Sequence, residues 1–204
     1  MIVIDDFQQQ SDEWFAARLG NPGASSFDQI ITNATGKPSK SAEGYMMELA
    51  GEIISGQSEA GYTNHHMEIG NQREQDARDE FEWETDLTVR QVALCYPDDN
   101  KRFHCSPDGL TSDGGGLEIK CPKMKTHIKY LLGGKLPTEY IAQVQGSLLV
   151  TGLSHWYFHS HYPSIKPLIV KVLPDAEYIK KMKVMLDDFC DGLNEMVRKL
   201  KAMR

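Results

Sequence analysis

The sequence is short of cysteine, of positive charge and of long apolar runs, and each shortage removes a class of explanation. Its four cysteines, Cys95, Cys105, Cys121 and Cys190, include no C-x-x-C pair. That spacing excludes a zinc ribbon or finger, and in a reducing cytoplasm they are expected to be small apolar fillers rather than disulfides. Acidic residues outnumber basic ones by 29 to 22, a net charge of −7. This excludes a protein that coats nucleic acid by bulk attraction. It leaves room for an enzyme that concentrates positive charge in one cleft and adds more from metal ions. No apolar segment approaches the roughly 20 residues that span a bilayer, so no membrane partner is expected. The opening Met1-Ile-Val-Ile-Asp-Asp is acidic and lacks the parts of a secretory signal, which makes a cytoplasmic location the expectation. No repeat, low-complexity tract or linker divides the 204 residues, a length that suits a single domain, 1–204, with a substantial core.

What is present reads first as helix. Asp12 to Leu19 forms a short helix stopped by Gly20 and Pro22. Ser25 and Asp28 have the spacing of a capping box for a second helix, to about Asn33. Ser41 caps a third, with Tyr45, Leu49 and Ile53 on one face. Gly56 to Asn64 reads as a loop, and a fourth helix runs from about His66 to Trp83. The period then changes. Leu87 to Tyr96 reads as one strand, Arg102 to Ser106 as a second, and Leu117 to Cys121 as a third that Pro122 ends. A helix over Thr138 to Val150, strands at Trp156 to Tyr162 and Leu168 to Leu173, and a long amphipathic helix from Ala176, capped by Asp175, complete the chain. The order predicts an α/β (α+β) fold with a mixed central sheet flanked by helices.

The stretch that carries chemistry is Ser106-Pro-Asp-Gly-Leu followed by Leu117-Glu-Ile-Lys. Alternate residues of a strand share a face, so Glu118 and Lys120 point one way and Ile119 the other. Asp108, across a Gly-rich turn, can fold back beside Glu118. Two carboxylates suit a Mg²⁺ ion, which prefers oxygen ligands. One or two such ions can neutralise a phosphodiester, activate water and stabilise the leaving oxygen. A neighbouring lysine can orient that water or stabilise charge. Taken singly, Glu-x-Lys is an ordinary surface pair and Pro-Asp-Gly an ordinary turn; it is their combination that points to catalysis.

Pro107-Asp108…Glu118-Ile119-Lys120 resembles the PD-(D/E)xK nuclease signature. The run from Ser106 to Pro122, together with Arg18-Leu-Gly through Ser25, Gly70-Asn-Gln-Arg-Glu-Gln-Asp-Ala-Arg and Tyr140-Ile-Ala-Gln-Val-Gln, resembles the lambda-type alkaline exonucleases of phage recombination. The resemblance implies that Asp108, Glu118 and the carbonyl of Ile119 bind Mg²⁺, with Mn²⁺ as a substitute. It implies that Lys120 positions the attacking water, that Glu74 and Gln143 complete the site, and that Arg18, Ser25 and Ser106 hold a 5′-terminal phosphate. An Arg fork with hydroxyl donors suits a phosphate dianion. It further implies 5′→3′ digestion of double-stranded DNA ends to mononucleotides, a ring-shaped homotrimer and a single-strand annealing partner.

Each carry-over has a plainer rival. Glu74 could be solvated, Arg18 could serve a helix dipole, Ser25 could be an N-cap and Gln143 an exposed polar residue. Lys123, Lys125 and Lys129, in a stretch without acids, read as a phosphate-tracking surface or as a solvated basic loop. His155, His159 and His161 can share a strand face, but no carboxylate or cysteine is spaced nearby to complete a zinc shell. The same metal site would also serve an endonuclease of the superfamily, and more distantly a non-catalytic DNA-binding module.

Overall fold

The computed structural model of the chain describes residues 1–58 and 64–203, and for 64–72 only the backbone. The loop expected at Gly56 to Asn64 falls largely outside the described residues. The helices are α1 (Asp12–Arg18), α2 (Ala42–Ser55), α3 (Asn64–Thr85), α4 (Met124–Gly133), α5 (Ile141–Thr151) and α6 (Ala176–Ala202). The strands are β1 (Ile2–Ile4), β2 (Val89–Arg90), β3 (Leu94–Tyr96), β4 (Gly109–Thr111), β5 (Gly116–Lys120), β6 (Trp156–Tyr162) and β7 (Ile165–Val172). A five-stranded mixed sheet in the order β2-β4-β5-β6-β7 stands at the centre. β5 and β6 run parallel and the other neighbours antiparallel. No helix among the described residues is long and apolar enough to cross a membrane.

The sheet separates two packed layers. On one face Leu117 and Ile119 of β5 meet Ala77 and Phe81 of α3. On the other, Phe158 packs with Tyr130 of α4, and Trp156 with Val144 and Leu148 of α5. Behind α5 a larger cluster joins Phe27, Tyr45 and Leu49 to Met182, Leu186 and Phe189 of α6. The cap expected on α6 is present, with Asp175 accepting from the Tyr178 N–H at 3.0 Å.

Several elements differ from the sequence expectation. Leu87 to Tyr96 is two strands in two sheets: β2 pairs with β4, whereas β3 pairs with β1 at the N-terminus. The apolar run is continuous because it feeds two separate cores, and periodicity does not reveal where it changes sheet. Arg102 to Ser106 forms only isolated bridges, His104 to Gly23 and Cys105 to Cys95. The helix expected from Ser25 is a 3₁₀ turn, Ala24–Gln29, preceded by Gly23 with no side-chain cap. Its surroundings take the backbone elsewhere: Ala24 N–H donates to His104, Ile30 accepts from Ser39, and Thr32 N–H donates to Lys37. Lys123 to Lys135 is not a loop but contains α4. Its buried face includes His127, which bonds Ser160 Oγ at 2.8 Å and the Lys166 carbonyl at 3.1 Å. A histidine in the apolar stripe hid the helical period. The helix expected from Thr138 begins as a 3₁₀ turn, Thr138–Tyr140, before α5.

β5 owes its position to a close approach. A Cβ on Gly116 would stand 2.2 Å from the ring of Trp156, which is fully buried. Gly116→Ala is therefore expected to destabilise the protein by about 1–3 kcal/mol through overpacking. Urea unfolding followed by tryptophan fluorescence should show a lower midpoint at an unchanged slope.

Candidate active site

β4 and β5 form a hairpin whose entry is fixed by Asp108. Its N–H donates to the Leu117 carbonyl, and its Oδ2 accepts from the Ile119 N–H at 2.5 Å. The carboxylate is thereby folded back against β5, which is what the turn between the two strands requires. Glu118, 3% exposed, lies on the face opposite Ile119. Its Oε1 accepts from Lys120 Nζ and from Gln143 Nε2 of α5, both at 2.6 Å. Lys120 Nζ also sits 5.1 Å from the centre of the Tyr140 ring. A buried carboxylate needs such donors to offset the hydration it has lost.

Arg18 is held by a second relay. Its guanidinium lies 3.9 Å from the centre of the Trp14 ring, a cation–π contact across one helical turn. Trp14 Nε1 donates to the Ala93 carbonyl and to Ser106 Oγ, each at 3.1 Å. Ser106 Oγ donates in turn to Ala93. Arg18, Ser25, Ser106, Asp108, Glu118, Lys120 and Gln143 all line one cavity of about 180 Å³. Arg18 and Ser25 also line a larger neighbouring cavity of about 740 Å³ that runs over α1 and α2. Ser25 is not an N-cap, since Gly23 holds that position.

Glu74 stands apart from this cavity. It pairs with Arg78 at 2.8 Å and lines an adjoining cavity with Gln9 and Gln91, yet its charge reaches Asp108. Ile119 buries its side chain against α3 and offers the site only its backbone. Lys123, Lys125 and Lys129 lie exposed at the start of α4 and along it, outside the cavity. His159 and His161 turn to the α3 face of the sheet, away from Glu118. Sequence reasoning missed five lining residues: Gln9, Trp14, Ala24, His104 and Ser147. Trp14 had a usable signal, an aromatic residue four positions before Arg18. His104 had none. Burial, together with the nearby Arg18 charge, takes its pKa down to about 3.

The electrostatics are those of a site with surplus negative charge. Burial, then the charges of Glu118 and Glu74, push Asp108 well above the usual carboxylate range, against Lys120 and the Ile119 N–H. Burial works against the Lys120 ammonium, but Glu118 and Asp108 outweigh it and hold its pKa above the ordinary value. Lys120 is therefore a cation here, a donor rather than a base. Asp108, Glu118 and the neighbouring backbone supply the hard oxygen atoms that a divalent cation such as Mg²⁺ prefers. The acid that resists ionising is the one such a cation would stabilise.

Because Asp108 titrates higher folded than unfolded, stability is withdrawn as pH rises from its unfolded pKa to its folded one. Asp108→Asn keeps the acceptor for Ile119 and removes that penalty. It is expected to raise Tm at neutral pH in chelator, by scanning calorimetry, and to abolish any further rise on adding Mg²⁺.

A model of the YqaJ-like viral recombinase domain matches residues 13–154. Among solved structures, an alkaline exonuclease (LHK-Exo) from Laribacter hongkongensis superposes with a TM-score of 0.83 and 31% identity, over 95% of this chain and 97% of that one. The same enzyme in complex with dAMP superposes equally well. A phage-related exonuclease from Haemophilus somnus 129PT gives a TM-score of 0.68 at 16% identity, over 90% and 96% of the two chains, a likeness of fold. No curated protein matches. The chain belongs to the YqaJ-like viral recombinase family and is a nuclease with a restriction-endonuclease-like fold.

Proposed function

We propose that this chain is a divalent-metal-dependent 5′→3′ exonuclease that enters double-stranded DNA at its ends, releases 5′-mononucleotides and leaves 3′ single-stranded tails for recombination. The observation that carries this reading is the single cavity shared by the acid pair, Lys120 and the Arg18, Ser25 and Ser106 group. A cutting centre and an anion-binding group within one small cavity fit removal of a terminal nucleotide better than cleavage within a strand. The dAMP complex of the Laribacter enzyme supports a mononucleotide product.

In this reading Asp108, Glu118 and the Ile119 carbonyl hold Mg²⁺, or Mn²⁺ in its place, as one or two ions. The metal supplies charge neutralisation at the phosphate and an acidified water. Gln143 and Lys120 share one oxygen of Glu118, so the ammonium is oriented before substrate arrives. From there Lys120 positions the attacking water and stabilises the charge that develops on the phosphate oxygens. Arg18, set on Trp14, and the hydroxyls of Ser25 and Ser106 receive the 5′-phosphate. Glu74 adds negative charge beside Asp108. Lys123, Lys125 and Lys129 track the backbone of the departing strand. A homotrimeric ring around the DNA, a single-strand annealing partner that takes the tail and a cytoplasmic location complete the reading.

Digestion of end-labelled linear duplex with Mg²⁺ is expected to release labelled mononucleotides, faster from 5′-phosphorylated than from 5′-hydroxyl ends. Internal fragments, or cutting of closed circles, would overturn the exonuclease reading. Arg18→Ala is expected to erase the preference for phosphorylated ends while leaving residual cleavage. Lys120→Ala should retain duplex binding in a gel-shift assay but lose roughly 100-fold or more in single-turnover rate.

A further inference from the structure

The structure gathers a second set of metal-ligating side chains, on the opposite side of the sheet from Glu118. β6 presents His159 and His161 toward α3, and α3 sets Glu80 against both. Glu80 Oε2 lies 3.1 Å from His159 Nε2 and 2.8 Å from His161 Nδ1. The three ligand atoms lie within 4.8 Å of one another. His155, which sequence alone places with the other two, bonds Asp113 instead. The carboxylate that sequence spacing does not reveal is Glu80, 79 positions before His159.

We propose that Glu80, His159 and His161 form a binding site for a transition-metal dication of the zinc class, separate from the catalytic cavity, which pins α3 to β6. Two imidazole nitrogens and one carboxylate oxygen are the donors of a borderline cation. Mg²⁺ selects oxygen instead. Bonds of about 2.0–2.1 Å in a tetrahedron separate ligand atoms by roughly 3.3 Å, so the two Glu80 spacings need to widen only by tenths of an ångström, and the two imidazole nitrogens, within 4.8 Å of each other, need to settle at that same separation. Both histidines are buried and stand on a strand next to the sheet centre, while Glu80 keeps 26% of its side chain exposed. Glu80 is thus the ligand in contact with solvent, the side from which an ion and a water as fourth ligand would come.

The electrostatics agree with this geometry. Burial holds His159 below its ordinary pKa despite Glu80, which leaves a neutral ring able to coordinate. Burial opposes the Glu80 carboxylate, but hydrogen bonds from both histidines outweigh it, and the group is more acidic than usual. The outward nitrogens, His159 Nδ1 and His161 Nε2, are buried without a partner. Tight zinc sites anchor that second nitrogen, so this site should bind more weakly than a fully supported structural zinc. Its register places it apart from the acid pair: His159 pairs with Ile119, whose side chain points away from the catalytic cavity.

The test uses the full chain, stripped with chelator and then titrated with Zn²⁺ by calorimetry in excess Mg²⁺, which occupies the catalytic acids. One equivalent of Zn²⁺ per chain is expected, together with a rise in Tm beyond the one that Mg²⁺ gives. His161→Gln and Glu80→Gln should each weaken uptake by about 10-fold or more. Both sites lie nearer the surface than His159, and circular dichroism verifies that each variant folds. Cobalt substitution should add visible absorption bands that His161→Gln removes. Absence of Zn²⁺ uptake by the wild type, or unchanged uptake by both folded variants, overturns the proposal.

Discussion

Everything at the candidate active site depends on one buried oxygen. Glu118 Oε1 receives both the Lys120 ammonium and the Gln143 amide, and removing either would leave a charge in a poorly solvated place without enough donors. That requirement links three elements. β5 must hold Glu118 and Lys120 on one face, α5 must bring Gln143 across, and the 3₁₀ turn Thr138–Tyr140 must set Tyr140 beside the ammonium. The apolar residues between the charges perform the complementary task. Leu117 and Ile119 bury themselves against α3 and so fix which way the polar residues turn.

The same strand alternation explains how much could be read from sequence. Glu118, Ile119 and Lys120 are consecutive, and period two is a local property, so their opposite directions follow without any knowledge of the fold. The cap of α6 at Asp175 and the break after α1, where Gly20 takes a φ of +66°, are local in the same sense. The division of Leu87 to Tyr96 between two sheets is not, because β3 is defined by a partner at Ile2–Ile4 more than 80 positions away. α4 was hidden for a chemical reason. His127 behaves as a core residue only because Ser160 and Lys166 satisfy its ring.

The surroundings of the site follow the same division. The acid pair and lysine lie within one hairpin and the stretch just before it holds His104, whereas Gln9 and Trp14 reach the cavity from the N-terminal segment. Gln9 donates to the carbonyls of both Val92 and Pro107, tying the N-terminal segment to the residue that precedes Asp108. No spacing rule connects positions 9, 92 and 107. The family resemblance implies Arg18, Ser25 and Ser106 as a group, and the spacing of Trp14, one helical turn before Arg18, is the local signal for the ring on which the guanidinium rests.

α3 carries one further consequence. Glu74 and Glu80 are six residues apart on it, about 9 Å along the axis, and the first sends its field toward Asp108 while the second is gripped by two imidazoles of β6. A helix is stiff over that length, so the two ends cannot drift independently. The grip at Glu80 therefore helps to fix where Glu74 stands relative to the hairpin. The back of the sheet thus acts as the mounting on which the front is aligned.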